Sequence, residues 1–245
     1  MGADAKQARE MRWLTLPVLG LTRKRLHSAR AVFVNGFAFD DLQPETVVAA
    51  VRAAQSGGAL IAFDVGPRAS ALTRDVPPGG AAALRELLRI SDLLLLTQDE
   101  AGIVTGLHEA DAAAGALLQA SAATHPWVVV KRGKEGALAL TRHVSESRVC
   151  LPAITVDALD TVGCGDSFAA AVVLGRTRGH PLAATLALAN AVGAATATGR
   201  GAGRNVARLP HVRQLLEALA ADEQAPEHAR VAARAALELM LQPTS

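Results

Sequence analysis

From residue 31 onward, short apolar runs alternate with longer stretches rich in Ala and Leu. This alternation constrains the fold more than any other feature. Residues 31–35, 59–64, 93–96 and 127–131 read as short strands. The Val-rich run 127–131 has the continuous apolar character of a strand buried on both faces. Residues 44–55, 81–89, 98–105 and 109–123 read as the helices between them. Residues 137–141 follow a Gly-rich turn and read as a hairpin partner of the fourth strand. Helical stretches follow at 166–177, 182–198 and 208–220. The β-helix-β rhythm predicts a layered α/β fold with a mainly parallel sheet.

Composition narrows the partners. A chain of 245 residues with 50% hydrophobic residues can bury a substantial core. Its net charge of +2 gives no single-sign field of the kind that recruits nucleic acid or a membrane surface. Aromatic residues are 3% of the chain and Tyr is absent, which argues against a base-stacking platform. Cys150 and Cys164 are too few for a disulfide scaffold or a Cys-based zinc site. A reducing compartment fits them, so the cytoplasm is the expected location. The apolar runs are short and broken, so no transmembrane helix is expected.

Residues 1–30 carry several Lys and Arg and read as a polar leader. A plastid is the alternative location if this is a transit segment, but Asp4 and Glu10 argue against one. The main domain is expected over 31–221. Residues 222–245 hold a last amphipathic helix, 226–241, expected to pack on the domain's flank.

The run Asp160-Thr161-Val162-Gly163-Cys164-Gly165-Asp166-Ser167-Phe168 carries the chemistry. Glycines just before a helix permit a tight turn and expose backbone N–H groups at the positive end of the helix dipole. That arrangement accepts anions. Asp166 at the helix start could act as an N-cap and no more. The wider pattern changes the weighting. It resembles the second signature of the ribokinase/PfkB carbohydrate kinase family, Asp-Thr-x-Gly-x-Gly-Asp-x-Phe. The resemblance implies a ribokinase-like three-layer α/β/α sandwich and an ATP-dependent kinase. It implies that Asp166 takes a proton from the acceptor hydroxyl. The backbone amides of Gly163, Cys164 and Gly165 would hold the transferring phosphoryl group. Cys164 stands at a variable position and is given no nucleophilic role.

Other segments fit the same resemblance. Lys131, Gly133 and Gly136 stand in a strand and Gly-x-x-Gly turn that the family places beside the nucleotide. Glu100 matches a family Glu that orders Mg²⁺ and its waters, with Thr97 where Asn is usual. Asn190 matches a helix beside the adenine. Gly201 and Ala202 match a loop that closes the nucleotide pocket. Asp160 and Val162 would offer carbonyls to a monovalent cation such as K⁺. Asp64 and Arg68 match an Asp-x-x-x-Arg run near the phosphate path and are assigned to the substrate side.

The resemblance covers about residues 31–220. Family members begin with strands carrying a Gly-Gly motif and with a small sheet that lids the sugar. Neither is found in this sequence, so the lid sheet is expected to be absent and a central-sheet edge exposed. Two functions are therefore weighed. One is transfer of the γ-phosphoryl of ATP to an alcohol of a small sugar or nucleoside. The other is a truncated, noncatalytic kinase-like protein with a binding or scaffold role. A Rossmann dehydrogenase ranks below both, because Gly163-Cys164-Gly165 lacks the third Gly and Asp166 would repel a pyrophosphate. The expected partners are ATP, Mg²⁺ and a small-molecule acceptor, with a homodimer left open and neither nucleic acid nor membrane.

Overall fold

The computed structural model describes residues 23–143, 146–201 and 206–241. Helix α1 (Arg23–His27) precedes strand β1 (Ala31–Asn35). Next come the short α2 (Ala38–Asp41), α3 (Pro44–Ser56) and β2 (Leu60–Asp64). A 3₁₀ turn, Gly66–Arg68, leads into α4 (Ala69–Thr73) and α5 (Gly80–Ile90). Strand β3 (Leu93–Thr97) is followed by α6 (Gln98–Thr105) and α7 (Ala110–Ala120). Then β4 (Trp127–Lys131), β5 (Ala137–Thr141) and β6 (Arg148–Leu151) complete the sheet. The chain continues through α8 (Cys164–Thr177), α9 (Leu182–Ala197), α10 (Leu209–Ala221) and α11 (Glu227–Leu241).

The strands lie side by side in chain order, β1-β2-β3-β4-β5-β6. Neighbours are parallel from β1 to β4 and antiparallel from β4 to β6. The expected hairpin of β4 and β5 is present, and β6 extends it. β6 was not legible in advance, because Arg148-Val149-Cys150-Leu151 is short and mixed in character.

Side chains alternate across the sheet as the pleat requires. Ile61, Phe63, Leu94, Leu96, Val128 and Val130 face one core with α3, α5, α6 and α7. Ala62, Leu93, Leu95, Val129, Ala137 and Ala139 face a second core with α8, α9, α10 and α11. Strands covered on both sides must be apolar at every position, which explains Leu-Leu-Leu-Leu in β3. The result is a three-layer α/β/α sandwich.

β1 is the edge of the sheet among the described residues. Val32 and Val34 pack into the first core, whereas Phe33 points to the other face and is 42% exposed. Among the described residues no strand pairs with the outer side of β1. Helix α11 packs on α10 and α9 as expected for a flank helix, but through Ala229, Ala232, Ala233 and Ala236. Val231, one of its larger apolar residues, stays exposed.

Candidate active site

In a sheet of this kind, ligands bind beyond the carboxyl ends of the parallel strands. Here those ends are Asn35, Asp64, Thr97 and Lys131. Asp64 and Lys131 have the same parity as Ala62 and Val129, so both point toward the layer that contains α8. Their strands are separated by β3, a span of roughly 10 Å. The long lysine side chain crosses it: Lys131 Nζ donates to Asp64 Oδ2 at 2.6 Å. The side chains are 14% and 4% exposed. The second oxygen, Asp64 Oδ1, is buried and has no hydrogen-bond partner among the described residues. Burial pushes the Asp64 carboxyl above the ordinary aspartate range, and Glu100 and Asp166 add to that, against the pull of Lys131. Four predicted site residues, Asp64, Glu100, Lys131 and Asp166, thus lie within electrostatic reach of one another.

Helix α8 begins over this spot. Gly163 is its N-cap and adopts φ 81, a left-handed conformation that glycine takes without a Cβ clash. No side chain caps the helix. Cys164 N–H is used in the turn, donating to the Thr161 carbonyl at 3.2 Å. Gly165 and Asp166 are exposed in the first turn. A Cβ built on Gly165 would lie 3.8 Å from Lys131 Nζ. The ammonium therefore sits directly beneath the signature turn. Burial pushes the Cys164 thiol up, with Asp160 contributing, so it is kept protonated and unreactive.

Asp160 organises the turn's other flank. Its carboxylate accepts from Val162 N–H at 3.0 Å and from Gly201 N–H at 2.8 Å. These two backbone donors hold its carboxyl below the usual range. Asp160 thus ties the signature to the glycine loop through its side chain. Ala202 lies outside the described residues. A cavity of about 280 Å³ opens at this loop, lined by Thr198, Gly199, Arg200, Arg208 and His211 among others.

Thr97 and Glu100 form a capping box on α6. Thr97 Oγ1 accepts from Glu100 N–H at 3.2 Å, and Glu100 Oε2 accepts from Thr97 N–H at 2.7 Å. One Glu100 oxygen is thereby committed to the fold. No group of three or more His, Cys, Asp or Glu among the described residues could cage a metal by itself. Mg²⁺ usually needs only one or two carboxylates when phosphates supply other oxygens, and that donor set fits Glu100 and its neighbours.

Three predicted residues have other engagements. Asn190 Nδ2 donates to the Pro152 carbonyl at 3.0 Å, tying α9 to the loop after β6. Gly136 is required by packing: a Cβ there would fall 2.0 Å from the Leu151 carbonyl oxygen. Gly133, by contrast, has open space around it. Arg68 is not brought to Asp64. Its guanidinium grips Asp40 with two bonds of 2.6 and 2.5 Å and stacks 4.8 Å from the Phe37 ring centroid. Sequence reasoning placed Asp64 and Lys131 at the site separately and missed their pairing. Their shared position at strand ends was the available signal.

The model of the pfkB family carbohydrate kinases matches residues 3–208. A Klebsiella pneumoniae fructokinase is 33% identical over 165 residues, covering 64% of this chain and 51% of that one. An Escherichia coli protein assigned provisionally as ribokinase II, solved with ATP and Mg²⁺, superposes with a TM-score of 0.70 at 24% identity. That match covers 81% of this chain and 62% of that one. A Salmonella enterica aminoimidazole riboside kinase, solved with its riboside and an ATP analogue, gives 0.65 at 21% identity over 80% and 66% of the two chains. The chain thus spans about half the length of the fructokinase and under two thirds of the ribokinase II. With a family match across most of its length, the chain belongs to the pfkB family of carbohydrate kinases.

Proposed function

We propose that the chain binds MgATP at the carboxyl ends of β2–β4 and transfers its γ-phosphoryl group to an alcohol of a small sugar or nucleoside. One observation carries this reading: the uncapped, glycine-led start of α8 meets a partly buried lysine at the strand ends. Unused amides, a helix dipole and an ammonium together favour phosphate oxygens.

Asp166 is the proposed base. Its carboxylate takes the acceptor's proton as the new O–P bond forms and the bond from Pγ to the ADP oxygen breaks, giving ADP and a phosphate ester. Such general-base help is worth about 10²–10⁴ in rate. The amides of Gly163 and Gly165 face the spread negative charge of the transferring group, whereas that of Cys164, expected to join them, is spent on the Thr161 carbonyl. Mg²⁺, when bound, neutralises phosphate charge, with Glu100 and Thr97 holding it through water. Lys131 and Gly133 stand on the nucleotide side. Asp160 and Val162 are the proposed carbonyl donors to a monovalent cation.

The test is ADP release with MgATP over a panel of sugars and nucleosides. Wild type should turn over one or more of them. Asp166→Asn should lose transfer while still binding ATP, and normal turnover in that variant would remove Asp166 from the mechanism. A second reading, a noncatalytic binding protein, is favoured by β1, which among the described residues is an unpaired edge with Phe33 exposed. No turnover across the panel, together with a stable protein complex, would select it.

A further inference from the structure

We propose that Asp64 is a positioning residue, and that its role is to hold the Lys131 ammonium beneath Gly165 as the cation for the γ-phosphoryl group. This rests on the kinase reading above and moves Asp64 from the substrate side to the floor of the phosphate site.

Three observations support it independently. The first is reach. Lys131 crosses a whole intervening strand to meet Asp64 and ends 3.8 Å from where a Gly165 Cβ would stand. An untethered lysine at a strand end would extend into solvent instead. The second is spare capacity. An ammonium has three N–H donors, and one goes to Asp64, leaving others for phosphate oxygens. The third is the poor quality of the pair as a structural device. A buried ion pair stabilises a fold only when its remaining acceptors are satisfied, yet Asp64 Oδ1 is buried without a partner among the described residues. Glu100 and Asp166 bring further negative charge toward the same carboxylate. A core designed only for stability would place an apolar pair here. The cost is explained if the lysine is kept for a ligand.

The geometry also sets what the pair reads. Lys131 lies under the turn proposed to cradle the transferring group, so it distinguishes a nucleotide that carries a γ-phosphate from one that does not. This preference needs no acceptor to be measured, and a purely structural pair would not alter it.

The experiment is calorimetric titration of the full chain with MgATP and with MgADP. Lys131→Met should weaken ATP by about tenfold to a hundredfold, the worth of one hydrogen bond to a charged group, and leave ADP nearly unchanged. Asp64→Asn should weaken ATP in the same selective way but less, because the ammonium stays and only its anchor is lost. The double variant Lys131→Met/Asp64→Leu replaces the pair by apolar groups and leaves no unpaired carboxylate, so a selective ATP loss there is the lysine's own contribution. Equal losses for both nucleotides, or none, would overturn the inference and leave the kinase reading standing. Tighter ATP binding by Asp64→Asn would show that Asp64 merely neutralises Lys131, which also overturns it. A wild type that binds neither nucleotide overturns both.

Discussion

Asp64 and Arg68 belong to one short run, and each ends in an ion pair with a residue far away in sequence. The two pairs could hardly differ more in setting. Asp64–Lys131 is nearly excluded from water, whereas Arg68 and Asp40 are 38% and 43% exposed. Burial raises the Asp64 carboxyl despite its lysine, while the Arg68 hydrogen bonds lower that of Asp40. Opposite charge at hydrogen-bond distance therefore does not fix the direction of a titration; the solvent around the pair does. The exposed pair clasps α2 to the turn after β2. The buried pair spans three strands and ends at the proposed phosphate site.

The largest expected break in this comparison is Lys131→Met alone. It leaves a buried carboxylate unpaired and should destabilise the fold by roughly 3 kcal/mol, read from urea unfolding at neutral pH. The Lys131→Met/Asp64→Leu chain should recover most of that loss, even though its ATP preference stays impaired.

Next in size is pH dependence. The folded-state pKa of Asp64 is raised, so its contribution to stability is present in full below the unfolded aspartate value and is lost as pH rises through the raised one. Relative to Asp64→Asn, wild type should lose stability as pH rises above the unfolded aspartate value of about 4. Asp40 runs the other way. Its lowered pKa makes its contribution present above the unfolded value and lost as pH falls through the folded one. Unfolding midpoints of the two Asp→Asn variants against pH should therefore diverge from wild type with opposite slopes. Parallel slopes would refute the contrast.

The smallest effect is expected from Arg68→Ala. Its melting temperature should shift slightly at low ionic strength, and the shift should fade in high salt, as for an exposed pair. A large, salt-insensitive loss would mean that Arg68 stacked on Phe37 is a packing element rather than a clasp.

The fold was legible where one rule acted alone. The strands at 31–35 and 127–131 and the helix at 98–105 match the expected bounds, because apolar runs and cap residues decide them locally. Helix α6 shows how a single Thr–Glu spacing writes a helix start into the chain. The short helices α2 and α4 escaped, since so few residues carry no period. The flank helix α11 was legible through Leu237 and Met240, which pack against the second core, whereas its fully buried positions are alanines, which carry little apolar signal. At the site, the Asp160–Phe168 run was readable as a linear motif. The Asp64–Lys131 pair was not, because it depends on two strands having a third between them. Asn190 and Gly136, read from the sequence as ligand contacts, also have packing partners that only neighbours in space reveal.

The order of strands in the sheet has a consequence for how the chain reaches this state. The buried members of the first core all lie before β6, so most of that face can close while later residues are still being synthesised. The helices of the second core all come after it. Until they dock, the face bearing Asp64 and Lys131 remains hydrated, and the pair costs little there. Dehydration of the pair and assembly of the α8 turn above it are then one late event. A nascent chain would acquire its scaffold first and the proposed nucleotide site last.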